Sequence, residues 1–119
     1  FGRLSNLCGA TVAGTGAACG ITYLLGGGYH EICCAIQNMV GNVTGMVCDG
    51  AKASCASKIA SAVGTAILAS CMSMDSKGFA AGEGLVKQNV EQTIDTIGRM
   101  ASEGMAETDK KILQLMQEA

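Results

Sequence analysis

The chain has 119 residues and a net charge of -2, with seven cysteines, 17 glycines and no proline. This length fits one domain with a modest core, and a slightly acidic chain without any basic run excludes a nucleic-acid surface. The cysteine number is odd and Cys33 adjoins Cys34, which favours reduced thiols in the cytoplasm over a secreted disulfide framework.

The hydropathy pattern predicts an all-α fold, a compact bundle of about five helices with central helices rich in buried glycine and alanine. The lack of proline favours uninterrupted helices, and small side chains let helices approach closely. We expect residues 1–119 to form one domain, the C-terminal part of a longer polypeptide, because the chain opens at Phe1 without Met or a leader. The predicted helices span about 10–25, 29–46, 52–73, 84–103 and 109–118.

The first stretch, from Leu4 to Tyr29, carries no charge and is long enough to cross a bilayer. It contains seven glycines and lacks the flanking basic or tryptophan residues that anchor a membrane span. We therefore expect a buried central helix here and no membrane association.

The third and fourth predicted helices have apolar residues at helical spacing. In the third, Ile59, Val63 and Ile67 share a face, and small residues elsewhere predict that the helix is covered on most sides. The fourth has one packed face and one charged face. The packed face of the fourth comprises Val86, Val90, Ile94, Ile97 and Ala101.

Cysteine is the residue type that could carry chemistry, because no Ser-His-Asp, HExxH, Walker or CxxC motif is present. Cys48 and Cys55 flank DGAKAS, a polar break between two apolar helices where an ion could bind. A C-x6-C spacing is neither a zinc knuckle nor a ferredoxin motif, so a metal site and an ordinary loop both remain open. The other thiols within apolar helical patterns are expected to be small buried hydrophobes. These are Cys19, Cys33, Cys34 and Cys71.

Cys8 is the third candidate ligand, because it stands at the start of the first apolar helix and could lie at the same end of the bundle as the cysteine loop. Three thiolates suit a [4Fe-4S] cluster with one open iron. Such an iron can act as a Lewis acid toward a substrate hydroxyl, thiol or carboxylate.

Three runs of the sequence resemble the alpha-chain domain of iron-sulfur-dependent L-serine dehydratases, and more closely the related L-cysteine desulfidase and UPF0597 group. The runs are LCGATVAGTGAACGITYLLGG, NMVGNVTGMVCDGAKASCASKIA and IGRMASEGMAETDKKIL, which occur in the family order and cover most of the chain. The run CDGAKASC differs from the CDPVGG-type run of the dehydratases proper. The resemblance therefore leans toward the desulfidase branch.

The resemblance implies that Cys8, Cys48 and Cys55 hold a [4Fe-4S] cluster. It also implies a lyase that converts a small L-amino acid to pyruvate and ammonia, with hydrogen sulfide released from cysteine, and without pyridoxal phosphate. The general base would lie in a missing N-terminal lobe of the same polypeptide, so the chain alone would be inactive. A homo-oligomer is compatible with such a lyase.

Four polar residues are candidate contacts to the substrate or the cluster: Asn38 and Asn42, one helical turn apart, and Asp49 and Lys52 in the cysteine loop. The asparagines could instead cap or bridge buried helices, and the charged pair could only order the turn. Lys58 has the character of a solvated charge. For the whole chain, the alternative is a non-enzymatic, metal-dependent structural or regulatory module whose acidic C-terminal helices contact another domain.

Overall fold

A computed structural model describes residues 7–118, which form five α-helices and one short π-helix. The predicted all-α fold is confirmed. Within these residues the extended pairing is limited to an isolated antiparallel bridge between Leu7 and Val47. The helices are α1 (Gly9–Leu24), α2 (Tyr29–Asn42), α3 (Cys55–Met74), α4 (Val90–Arg99) and α5 (Ala106–Gln117), with the π-helix at Met100–Gly104.

Several helix ends differ from the predicted ones, and local geometry explains the largest difference. The fourth helix begins at Val90 and not near residue 84, because the Asn89 side chain caps it by accepting a hydrogen bond from the Gln92 N–H at 2.9 Å. The preceding segment contains Gly82 and Gly84 at positive φ, a backbone conformation that breaks a helix. The second helix stops at Asn42, and the third starts at Cys55, so the loop that carries Cys48 is longer than predicted.

The core lies between α1, α2 and α3 and consists mostly of small side chains. A Cβ atom on Gly14 of α1 would meet the Ala62 Cβ of α3 at 3.0 Å, so these helices approach closely through this glycine. The Ser70 hydroxyl joins the same two helices by donating to the Ala18 carbonyl at 3.0 Å. The buried apolar cluster at the centre comprises Ala18, Ala35, Met39, Ala66 and Ala69.

Helix α3 buries its small residues and exposes its bulky apolar residues, which is the reverse of what hydropathy predicts. Ile59, Val63 and Ile67 remain 57%, 42% and 49% exposed, and Cys71 is exposed as well. The expectation that α3 is covered on most sides is therefore wrong for this chain, because close helix contact selects small side chains over bulky ones. Those buried instead are Ala62, Ala66, Ala69, Ser70 and Ser73. Within residues 7–118, α3 is also the one helix long and apolar enough, by length and composition, to cross a bilayer.

The two C-terminal helices flank this three-helix core. Helix α4 buries Val90, Thr93 and Ile97 and exposes its charged face, as predicted, whereas Ile94 is half exposed. Helix α5 buries no residue of its own. Its Met116 methyl group nevertheless lies against the loop that contains Cys48, as described below.

Candidate metal centre

Cys8 and Cys48 are brought to the same end of the bundle by backbone pairing. Cys8 caps α1, where its Sγ atom accepts from the Ala10 N–H at 3.4 Å. Its own N–H donates to the Met46 carbonyl at 2.6 Å, next to the bridge between Leu7 and Val47. The start of α1 therefore lies beside the segment that leads directly into Cys48.

Cys55 is the first residue of α3 and is tied back to the same loop. Its thiol donates to the Gly50 carbonyl at 3.6 Å. Gly50 has φ +94°, which favours glycine, and an added Cβ there would meet the Met116 methyl at 3.0 Å. The loop thus folds over the N-terminus of α3, and only glycine suits the position where α5 covers it.

The charged residues of the loop form a small network centred on Asp49. Its Oδ1 atom accepts from Lys52 and, at 2.8 Å, from Lys58. Hydrogen bonds from Lys52 and then from Lys58 hold the pKa of the Asp49 carboxyl well below its usual range. Lys58 also donates to the Val47 carbonyl at 2.8 Å. This network orders the turn, which is one of the two roles that the sequence leaves open for Asp49 and Lys52.

The chemistry of the donor set fits an iron-sulfur cluster. Cys8, Cys48 and Cys55 are free, half-buried thiols, and thiolates are the usual ligands of such clusters. Two of them stand at helix N-termini, which attract negative charge and so suit an anionic cluster. In the described part of the chain, however, no three His, Cys, Asp or Glu side chains converge closely enough to hold a metal ion. The thiols share one end of the fold without forming a closed ligand set.

Asn38 lies away from solvent and works as a bridge between elements. It is 1% exposed, and its amide donates to the carbonyls of Ala69 in α3 at 3.3 Å and of Lys77 at 3.1 Å. Its carbonyl oxygen accepts from the Phe79 N–H at 3.3 Å. These bonds match the bridging role weighed for it. Asn42 is exposed at the end of α2, and a substrate contact by either asparagine stays a prediction.

Lys58 is the residue of this site that sequence reasoning undervalues. Predicted as a solvated charge, it is instead only 24% exposed and is held between α3 and the cysteine loop. A usable signal was its spacing, because Lys58 follows Cys55 by three residues and therefore shares a face with it on the first turn of α3.

A groove of about 280 Å³ lies between α1, α2 and α4. Thr11, one turn beyond Cys8, contributes a buried Oγ1 atom that has no hydrogen-bond partner within residues 7–118. Aliphatic side chains dominate the remaining lining, which does not suit a zwitterionic amino acid. They are Val12, Ile36, Val40, Val43, Ile94 and Ile97.

Comparison with known proteins gives a consistent family match. The sequence model described as serine dehydratase alpha chain matches residues 1–114. A UPF0597 protein of Bacteroides fragilis is 49% identical over 116 residues, which cover 98% of this chain and 27% of that protein. A UPF0597 protein of Lachnoclostridium phytofermentans is 53% identical over 116 residues, covering 98% of this chain and 28% of that protein. No solved structure matches the chain.

Proposed function

The chain belongs to the serine dehydratase alpha-chain family, and we propose that it is the cluster-binding part of an iron-sulfur-dependent amino-acid lyase. The proposed reaction is of the L-cysteine desulfidase or L-serine dehydratase type and gives pyruvate and ammonia. The observation that carries this proposal is that backbone pairing brings Cys8 beside the segment leading into Cys48, while the Cys55 thiol is bonded back to the same loop.

In this proposal the three cysteines hold a [4Fe-4S] cluster. When bound, such a cluster supplies an iron with an open coordination position, which polarises the leaving group of a substrate. Cys8 and Cys55 stand at helix starts, whereas Cys48 lies in the non-helical segment between α2 and α3, so the proposed cluster would be held by two helix ends and one loop.

The charged residues of the loop are engaged with one another. Asp49 accepts from both Lys52 and Lys58, which lowers its pKa, and the same hydrogen bond raises the pKa of Lys58. A hydrogen-bonded carboxylate of low pKa is a weak base. We therefore place the general base outside these residues, in the remainder of the lyase.

The chain spans about 27% of the length of the curated relatives it matches. We propose that the rest of such a cytoplasmic polypeptide, the N-terminal lobe, covers the uncharged face of α3 formed by Ile59, Val63, Ile67 and Cys71. No charged residue occurs between Lys58 and Asp75, yet most of this helix is open to solvent. An uncharged exposed face of this kind is typical of an interface.

Cys71 is a native reporter for this contact because it is exposed in the chain described here. We expect iodoacetamide to modify Cys71 rapidly in the 119-residue chain. It should modify Cys71 slowly in a full-length protein that is as long as the matched relatives. Equal reactivity in both would contradict the contact. Protection that rises with the concentration of the 119-residue chain, or on addition of phospholipid vesicles, would instead assign the face to a second copy or to a membrane.

The lyase proposal is tested by assaying the full-length protein, reconstituted anaerobically with iron and sulfide, for pyruvate from L-cysteine and from L-serine side by side. We expect pyruvate from at least one of them, and hydrogen sulfide in step with pyruvate from cysteine. Pyruvate from neither substrate by a cluster-loaded protein would favour the non-enzymatic structural or regulatory module.

A further inference from the structure

The segment around Cys48 is held from two sides. On one side, the Cys8 N–H donates to the Met46 carbonyl at 2.6 Å. On the other, the Lys58 ammonium reaches across from α3 and donates to the Val47 carbonyl and to the Asp49 carboxylate, each at 2.8 Å. The two acceptors of Lys58 therefore belong to the residues immediately before and after Cys48.

We propose that Lys58 is a positioning residue that fixes Cys48 relative to the other two thiols, by clamping both of its chain neighbours onto the first turn of α3. The inference rests on the proposed function in so far as Cys48 is a ligand, and it assigns Lys58 no contact with substrate. The proposed role of Lys58 applies equally to the chain without any cluster, because its hydrogen bonds to Val47 and Asp49 involve protein atoms alone.

Lys52 makes a useful contrast because it pairs with the same carboxylate. It lies three residues after Asp49, and its further contact is the Gly50 carbonyl at 3.3 Å, so both of its partners belong to its own turn. Lys58 joins the loop to a different element, the helix that begins with Cys55. Lys58 is also the more enclosed of the two, with a side chain 24% exposed against 39% for Lys52.

The charge of Lys58 suits this role. A lysine ammonium has three donors and no acceptor, so it can bind a carbonyl and a carboxylate at once. The hydrogen bond to Asp49 raises the pKa of Lys58 further above its ordinary value. An apolar side chain of the same length would leave the Val47 carbonyl and the Asp49 carboxylate without this helix partner.

The experiment measures amide hydrogen exchange of Cys8 in the chain without cluster, because its hydrogen bond to Met46 reports how firmly the neighbouring segment is held. In Lys58→Met we expect exchange about tenfold faster than in the wild type, the effect of losing a hydrogen bond to a charged group. Lys52→Met serves as the matched control and should change the rate by less than about twofold. Lys58→Arg should restore most of the protection.

Circular dichroism establishes that each variant is folded, and Lys58→Gln replaces Lys58→Met if the latter is not. Unchanged exchange at Cys8 in the folded variant, or an equal acceleration in Lys52→Met, would overturn the positioning role. A second readout is iron retained after anaerobic reconstitution and challenge with a chelator, which should fall faster in Lys58→Met. If the wild type binds no iron, the proposed function fails while the exchange result still decides the role of Lys58.

Discussion

Asn38 provides a direct test of whether the buried polar network holds the helices together. In Asn38→Ala, the carbonyls of Ala69 and Lys77 lose their side-chain donor and the Phe79 N–H loses its acceptor. Asn38 is 1% and Ala69 2% exposed, so water cannot readily replace the bond between them. The substitution therefore removes the side-chain bridge from α2 to α3 and to the segment that follows α3, and it leaves the Phe79 N–H without this acceptor.

The expected loss follows from the number and kind of these bonds. Leaving a buried donor or acceptor unpaired costs about 1–3 kcal/mol. The Ala69 carbonyl lies within α3 and the Lys77 carbonyl also accepts from the Cys34 thiol at 3.5 Å, so both keep a partner and we expect a total near ~3 kcal/mol. A domain of this size has a free energy of unfolding of roughly 5–15 kcal/mol, of which this is a substantial part. The melting temperature should fall by roughly 10 °C.

Urea unfolding followed by circular dichroism measures this loss, with Asn42→Ala as the matched control. Asn42 is exposed at the end of α2, so its replacement should change the free energy of unfolding by less than about 0.5 kcal/mol. If Asn38→Ala were as stable as Asn42→Ala, the bridging role would be refuted and a role confined to substrate contact would become the better account of Asn38.

Two further predictions concern helix contacts and pH. Gly14→Ala should lower the free energy of unfolding by about 1 kcal/mol in urea titrations, because the new Cβ would meet Ala62. Gly16 on the same helix has open space around it, so Gly16→Ala should raise the free energy of unfolding by up to about 1 kcal/mol. Equal effects of the two substitutions would contradict the close approach of α1 and α3. The Glu31 pKa is lowered by main-chain N–H donors, including that of Gly28 at 3.0 Å, so the wild type should be more stable than Glu31→Gln at pH 7 and this difference should shrink as pH falls below about 4. Thermal melts of both proteins across pH 2–7 measure it, and a difference that grows toward low pH would refute the assignment.

Those parts of the fold that depend on local pattern were predictable from the sequence. The charged and apolar faces of α4 follow its helical period, and its buried residues Val90 and Ile97 were expected. The sequence runs around Cys8, Cys48 and Cys55 indicated the family, which the family match confirms, whereas the role of these cysteines as ligands stays a prediction.

Other features depend on how helices meet, which hydropathy does not encode. Hydropathy ranks Ile59 and Val63 above Ala62 and Ala66, yet the close contact between α1 and α3 buries the alanines because only small side chains fit there. The role of Lys58 likewise depends on where the loop crosses the start of α3. A single sequence does not reveal that crossing.

The measurement that tests the central claim most directly is cluster loading by cysteine variants after anaerobic reconstitution, followed by iron content, visible absorbance and electron paramagnetic resonance. Cys71→Ser is the control, because this thiol is exposed on α3 and has no part in the proposed site. We predict that the wild type and Cys71→Ser load alike, and that Cys8→Ser, Cys48→Ser and Cys55→Ser each lose the cluster. Loading of Cys48→Ser or Cys55→Ser to the level of the wild type would contradict the account.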